Sequence, residues 1–454
     1  MGKAKATKLA TVAVALALTV AMQAAPRLMQ GPMLGAVDHD SAKIWARVGG
    51  EHELSVRYSE SSSFKNAITT KAIKASPEND YCVEIELSHL KYGSFYYYQI
   101  LLDGEPLEES RERGGYPLLT SPAPDSQVKF TIAFGSGAKV DSDGLQAIWL
   151  QVQNARPHAF FWVGENESLL NLNPTFQAEQ YRKQRDVPFL QPLLRSIPQL
   201  ATWDAPTAKG DRSDTLKSLE VFRRYWANPS YGTEEAPGTY FKYEYGGVDF
   251  FFLDTFTYRE SGNDQSLLGE KQLEWLKEGL SSSDSKFKIL LSGSSWTNAT
   301  SGDENSWVAF ESERDHLFEF IKGEQITGVA LLSGDDDEAE IKAIPMSQKG
   351  GYDLYEFVSS PLAQDPTSDY LEDSESVISI QEPYSESMNF GMMTFDMSEE
   401  DAMMSFEIIN IFGDSVFPTF ELRASELANG IVSWKEKVSS ESLAYIEADL
   451  ESVN

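Results

Sequence analysis

Carboxylate side chains follow three strand-like runs of this chain, and no histidine stands beside any of them. Ala159–Val163 leads to Glu165, Gln199–Thr202 leads to Asp204, and residues 328–333 lead to the acidic run 335–338. Converging strand ends are where α/β sheets usually hold their chemistry. Metal-dependent hydrolysis at such a place normally combines imidazole with carboxylate ligands. The pattern therefore predicts a catalytic scaffold from which the usual chemistry has been removed.

Other residues that could carry chemistry are scarce. Three of the five histidines lie in the first fifth of the chain, and we interpret the other two, His158 and His316, as structural. Cys82 is the single cysteine, which excludes an intramolecular disulfide and a thiolate metal cluster. Its alternating strand context predicts a packed core thiol. Because no histidine accompanies a serine or cysteine motif, the sequence does not predict nucleophilic catalysis.

Strand and turn signals divide the chain into two units. Residues 26–124 contain short alternating strands, and Tyr96 takes the place of a tyrosine corner, as in a small fibronectin type III-like β-sandwich. From 125 to 427 the order predicts an α/β (α+β) unit with two sheets between helical layers. Residues 428–454 are predicted to be a helical tail. The helices of the second unit are predicted at 144–155, 176–195, 214–226, 269–280 and 311–322.

The charge distribution bears on partners and location. The formal net charge of −32 repels polyanions, so we expect no nucleic acid partner. Lys3, Lys5 and Lys8 precede the apolar run 9–21 and small residues at 24–25, which predicts a signal peptide over 1–25 and a periplasmic or extracellular protein. The apolar run is short for a membrane span, so none is expected after cleavage.

Several longer segments resemble the alkaline phosphatase D (PhoD-like) metallophosphatases. Residues 31–47 are similar to the entry strands of the family's N-terminal sandwich. Residues 181–204, ending in Trp203-Asp204, are similar to the helix and strand that lead into a central ligand motif, and 222–229 and 273–277 also fit. The resemblance runs from Gly31 to about Leu427. It implies a four-layer αββα metallophosphoesterase-like sandwich, phosphoric ester hydrolysis and a dinuclear metal centre.

The motifs that should carry metal are the ones that depart from the family. Glu165 replaces an aspartate, and the late Ser-Gly-Asp-Arg-His motif ends here in Asp337 instead of histidine. A Trp-Asp-Asp-His-Asp run keeps its first acid, Asp204, and then reads Ala205-Pro206-Thr207. The positions that the resemblance assigns to a vestigial metal site are Glu165, Asp204, Asp211, Asp335 and Asp337.

These losses leave three hypotheses for function. The first is a pseudophosphatase with little or no activity, which needs no cofactor and binds an unknown small-molecule or protein ligand. The second is a hydrolase with a rebuilt all-carboxylate site, for which oxygen ligands would favour Ca²⁺. The third is an acidic surface-binding module, suggested by sixteen Asp and Glu and no Lys or Arg between 350 and 422. Whether the chain is an enzyme stays open at this point.

Overall fold

The computed structural model of the protein describes two units that follow each other along the chain. The described residues are 28–141, 143–166, 172–204, 212–260, 265–299, 306–334, 338–366, 372–373, 377–439 and 443. The predicted signal peptide and about half of the predicted C-terminal tail lie outside them. Within the described part, no helix is both long and apolar enough to cross a membrane.

The N-terminal unit is a β-sandwich of two antiparallel sheets. Its elements are β1 (Leu28–Val37), β2 (Ala42–Val48), β3 (Glu53–Ser59), β4 (Ile68–Thr69), β5 (Ile73–Lys74), β6 (Cys82–Leu87), β7 (Phe95–Leu102), β8 (Glu105–Pro106), α1 (Glu108–Glu112) and β9 (Tyr116–Leu119). One sheet has the order β1-β2-β6 and the other the order β4-β3-β7-β8, with β5 beside β3 and β9 beside β7. The alternating side chains of β6 and β7 fill the core between the sheets.

Two predictions for this unit can be checked residue by residue. The Tyr96 hydroxyl accepts a hydrogen bond from the backbone N–H of Lys91 at 3.0 Å, five residues upstream, as a tyrosine corner requires. Cys82 is buried at the start of β6, and burial, with the charge of Asp80 adding to it, raises the pKa of its thiol to about 12. The thiol is therefore protonated and unreactive at neutral pH.

The first sheet of the second unit has the order β12-β11-β10-β22-β23-β24. β10 and β11 are parallel, β11 and β12 are parallel, and the remaining neighbours are antiparallel. Its strands are β10 (Lys129–Gly135), β11 (Ala159–Val163), β12 (Gln199–Thr202), β22 (Asn389–Asp396), β23 (Met403–Asn410) and β24 (Phe420–Arg423). The three parallel strands thus end side by side at one edge of this sheet.

The second sheet has the order β13-β14-β15-β17-β19-β18-β21, with β14, β15, β17 and β19 parallel. Its strands are β13 (Phe241–Tyr245), β14 (Val248–Phe252), β15 (Phe287–Ser292), β17 (Val329–Ser333), β18 (Ala339–Ile344), β19 (Leu354–Val358) and β21 (Ile378–Tyr384). A separate two-residue pair joins β16 (Asn298–Ala299) and β20 (Glu372–Asp373).

The two sheets pack face to face, as the alternation along β11 shows. Phe161 lies between the sheets and contacts Phe250 and Phe252 of the second sheet, with ring centroids 5.0 and 4.9 Å apart. Its neighbours Phe160 and Trp162 point the other way, towards a cluster of helical side chains. Every residue of β11 is therefore buried, which explains why it is apolar without alternation.

Helices cover both outer faces. The first sheet is covered by α2 (Ile148–Ala155), α3 (Pro174–Arg185), α4 (Gln191–Ser196) and α5 (Arg212–Tyr225), and the second by α6 (Glu270–Ser281) and α7 (Glu311–Gly323). The predicted αββα fold with a preceding β-sandwich is confirmed. The single helix predicted at 176–195 is wrong, because the chain forms α3 and α4 with a break at Val187-Pro188. A proline inside a helix removes a backbone donor and clashes with the preceding turn.

The sandwich docks against α3 and α5 through a polar cluster. Asp80 accepts hydrogen bonds from Arg47 at 2.9 Å within the sandwich and from Arg182 of α3 at 2.9 Å. The Tyr225 hydroxyl at the end of α5 donates to the same carboxylate. The Trp45 indole N–H donates to the Arg224 carbonyl at 2.8 Å. The two units are thus joined at helices that follow the strand ends of the first sheet.

Candidate strand-end site

Strand ends from both sheets of the second unit meet at one edge of that unit. Glycines make the approach possible: a Cβ at Gly334, after β17, would overlap the Val163 carbonyl oxygen and lie 2.5 Å from Ser136 Cβ. A Cβ at Gly293, after β15, would lie 2.8 Å from Asp204 Cβ. The ends of β10, β11 and β12 are therefore in direct contact with those of β15 and β17, as predicted for converging strands.

Glu165 is held by side chains from two other loops. Lys139 Nζ, in the loop after β10, lies 3.1 Å from one carboxylate oxygen. Gln364 Nε2, in the loop after β19, donates to the other at 3.3 Å. Glu165 has a φ of +36°, and the side chain is about a quarter exposed. The carboxylate thus lies at the edge of the site with protein donors directed at both of its oxygens.

Asp204 lies deeper and is coupled to Glu165 through the backbone. Its side chain is 5% exposed, and Oδ1 accepts the backbone N–H of Glu165 at 2.8 Å. The preceding residue, Trp203, is held in place by a hydrogen bond from its indole N–H to Asp254 Oδ1 at 2.8 Å. Asp254 is fully buried, and its carboxylate also accepts hydrogen bonds from the Thr239 backbone N–H and the Thr257 hydroxyl. This carboxylate therefore has a structural role and fixes the position of Trp203.

Asn166 offers an acceptor without a donor. Its side chain is 4% exposed, and Nδ2 donates to the Thr202 carbonyl at 2.7 Å. Its backbone carbonyl accepts from the Gln184 amide of α3. The buried Oδ1 has no hydrogen-bond partner. Such an atom usually has a ligand or a solvent molecule as its partner.

The structure brings together two of the five predicted site residues, Glu165 and Asp204. The other three, Asp211, Asp335 and Asp337, lie outside the described residues. Sequence reasoning missed Lys139 and Gln364. The position of Lys139, four residues after the end of β10, was a usable signal, but Gln364 reaches the site from a loop some 200 residues away in the chain, which no local pattern indicates.

The histidines do not contribute to this edge. His158 precedes β11 and so lies at the opposite end of the strand from Glu165, where its Nδ1 accepts the Thr131 N–H at 3.2 Å. Burial lowers the pKa of His158, which keeps the ring neutral. His316 lies on α7. Both positions agree with a structural interpretation.

Comparisons with known proteins converge on one family. Residues 223–406 match a family model described as PhoD-like phosphatase, and residues 13–114 match the N-terminal domain model of the same family. A curated relative, alkaline phosphatase D of Bacillus subtilis (strain 168), is 22% identical over 367 residues. That alignment spans 65% of this chain and 62% of the relative.

Two solved structures share the fold over nearly the whole chain. The structure of PhoD superposes with a TM-score of 0.67 at 17% identity, covering 93% of this chain and 96% of that one. A purple acid phosphatase from yellow lupin (Lupinus luteus) seeds superposes with a TM-score of 0.62 at 14% identity, covering 92% and 76%. At these identities the likeness concerns the fold.

The relatives also correct the expectation about cofactors. We expected no cofactor, with Ca²⁺ as the alternative, and this is wrong, because PhoD and the purple acid phosphatase are metal-dependent phosphatases. Among the described residues, no three His, Cys, Asp or Glu side chains are arranged to hold a metal. Asp211, Asp335 and Asp337, three of the positions that the resemblance assigns to the metal site, lie outside these residues.

Proposed function

The chain belongs to the PhoD-like phosphatase family, and we propose that it is a pseudophosphatase, a member with little or no phosphoester hydrolysis. The observation that carries the proposal is the bonding of Glu165. Its two carboxylate oxygens face Lys139 and Gln364 at 3.1 and 3.3 Å. A carboxylate engaged in this way is a weaker ligand and a weaker base than one directed at a reacting group.

The sequence of the neighbouring loop supports the same proposal. After Asp204 the chain reads Ala205-Pro206-Thr207 where the family resemblance implies an acid, a histidine and a second acid. Alanine and proline offer no side-chain ligand or proton carrier. Since even outer-shell changes typically cost about 10–100-fold in metal affinity or activity, several simultaneous changes should reduce turnover severely. The proposal concerns turnover, and metal content is measured separately.

The test is a hydrolysis assay on the purified mature protein. p-Nitrophenyl phosphate and bis-p-nitrophenyl phosphate serve as monoester and diester substrates, with Mn²⁺, Fe, Zn²⁺ or Ca²⁺ added and bound metal determined by elemental analysis. We expect turnover no higher than in the Asp204→Asn variant under each condition. Turnover far above that variant, accompanied by stoichiometric metal, would overturn the proposal.

A gain-of-function variant provides the positive control. Glu165→Asp, Ala205→Asp, Pro206→His, Thr207→Asp and Asp337→His together reinstate the motif positions that the resemblance implies. If these positions limit turnover, the combined variant should hydrolyse at least one substrate faster than the natural chain. The natural chain must retain its melting temperature in the same buffers, so that low turnover is not due to unfolding.

We also propose that the protein is exported. The basic residues Lys3, Lys5 and Lys8, the apolar run 9–21 and the small residues after it support this proposal. N-terminal sequencing of protein recovered outside the cytoplasm should start close to residue 26. Recovery of the intact N-terminus from the cytoplasm alone would argue against export.

A further inference from the structure

We propose that a cleft in the N-terminal sandwich binds an anionic sugar, a ring bearing a carboxylate or sulfate. The cleft lies beside Tyr58 and Tyr96 and has a volume of about 490 Å³. Pockets that take small organic ligands typically measure about 300–1,000 Å³, so a sugar of one or two rings fits. The cleft contains none of the strand-end residues, and this inference does not depend on the proposed loss of hydrolysis.

Three polar side chains lining the cleft are available to a ligand. Lys65, Asn66 and His89 line it and are exposed. In the part of the chain that the structure describes, none of the three side chains forms a hydrogen bond or ion pair. Together they offer an ammonium, an amide and an imidazole, which is a donor-rich set suited to acceptor-rich ligands.

The charge of the cleft favours an anion. Lys91 also lines it, but its ammonium is 2.6 Å from Glu60, the one acidic residue in the lining, so these two charges compensate each other. Lys65 then supplies a net positive charge. This local positive charge would attract a carboxylate or sulfate group, although the formal net charge of the whole chain is −32.

The walls favour a ring over a bare ion. Tyr58 and Tyr96 pack with ring centroids 6.3 Å apart, and both residues line the cleft. Ile68 adds an apolar wall and is 57% exposed. The Tyr58 hydroxyl donates to the Ser88 carbonyl at 3.4 Å, and this bond holds the ring at the cleft. Apolar contact beside a few placed donors is the usual composition of a site for a polar organic molecule.

The test compares three probes on the full mature chain by isothermal titration calorimetry. D-glucuronate carries both ring and carboxylate, D-glucose carries the ring alone, and acetate carries the carboxylate alone. We expect saturable binding of glucuronate and at least tenfold weaker binding of the other two. A tenfold change corresponds to about 1.4 kcal/mol.

Two lysine variants locate the binding. Lys65→Gln removes the cleft charge and should weaken glucuronate binding at least tenfold. Lys74→Gln makes the same charge change at an exposed lysine of the same sandwich that pairs with Glu51 and does not line the cleft, so affinity should be unchanged. Both variants are exposed-site changes, and unchanged melting temperatures would confirm that they fold.

Three results would overturn the inference. The first is that glucuronate fails to saturate the natural chain at millimolar concentration. The second is that Lys65→Gln and Lys74→Gln bind glucuronate with equal affinity. The third is that acetate binds with the same affinity as glucuronate, which would identify a simple anion site and remove the sugar from the proposal.

Discussion

At the scale of the residue, the candidate site is defined by which partners its carboxylates have. Glu165 faces an ammonium and an amide, and Asp204 accepts the backbone N–H of Glu165. These bonds tie the loops after β10, β11, β12 and β19 into one structure. Residues that resemble ligands in the sequence therefore also act as loop connectors, which is a role that a motif comparison does not detect.

The glycine after β17 should be intolerant of any side chain. Gly334→Ala places a methyl group against the Val163 carbonyl and Ser136, where backbone must move. Overpacking typically costs about 1–3 kcal/mol. We expect a fall in melting temperature of about 2–12 °C, since 1 kcal/mol corresponds to roughly 2–4 °C in a unit of this size. Differential scanning calorimetry measures this shift.

Gly323→Ala is the matched control, because no atom lies within 4 Å of a Cβ added there. It should leave the melting temperature unchanged or raise it slightly, since alanine favours helix more than glycine does. Equal melting temperatures for the two variants would show that the strand ends are less tightly packed than described.

At the scale of the element, the sandwich and the second unit are joined at helices that follow the site loops. Asp80 connects Arg47 of β2 to Arg182 of α3 and Tyr225 of α5. α3 follows the loop after Asn166, and α5 follows the loop after Asp204. The sandwich therefore supports the elements that hold the candidate site in place.

This junction should weaken in acid. Burial raises the pKa of Asp80, but hydrogen bonds from Arg47 and Tyr225 outweigh it, and the net pKa is lowered. A carboxylate with a lowered folded-state pKa stabilises the protein above its ordinary pKa of about 3.9 and loses that contribution as the pH falls through the folded value. Asp80→Asn should therefore lower the free energy of unfolding by about 2 kcal/mol at pH 7. The difference in this free energy between the variant and the natural chain should shrink below about pH 4.

Urea unfolding at several pH values measures this difference. Glu86→Gln, at an exposed position on the same sandwich, is the control and should leave the free energy of unfolding unchanged at every pH. A constant difference between Asp80→Asn and the natural chain down to pH 2.5 would show that the charge of Asp80 does not contribute to the junction.

At the scale of the whole molecule, charge repulsion opposes the folded state. The chain has 70 acidic and 38 basic residues, and its formal net charge is −32. Loss of Lys3, Lys5 and Lys8 with a signal peptide would make the mature charge −35. Repulsion among these charges destabilises the compact state, and the burial of apolar surface between the two sheets offsets this repulsion.

Salt should therefore stabilise the protein. Raising NaCl from 0.01 to 0.5 M shortens the Debye length from about 30 Å to under about 10 Å and screens the repulsion. We expect the melting temperature to rise by a few degrees, as measured by circular dichroism. Choline chloride should raise the melting temperature by the same amount, which distinguishes screening from binding of a particular cation. A melting temperature that falls or stays constant would contradict this account.

The sequence by itself determined the fold and the edge at which its strand ends converge. Strand runs followed by carboxylates predicted converging ends at Glu165 and Asp204, because side-chain periodicity and strand polarity are local properties. The break at Val187-Pro188 was missed, although its cause is also local, because the apolar spacing continued across it. Only the tertiary structure decided which side chains surround Glu165. Lys139 and Gln364 reach it from separate loops, and such contacts depend on how two sheets pack, which no local pattern encodes.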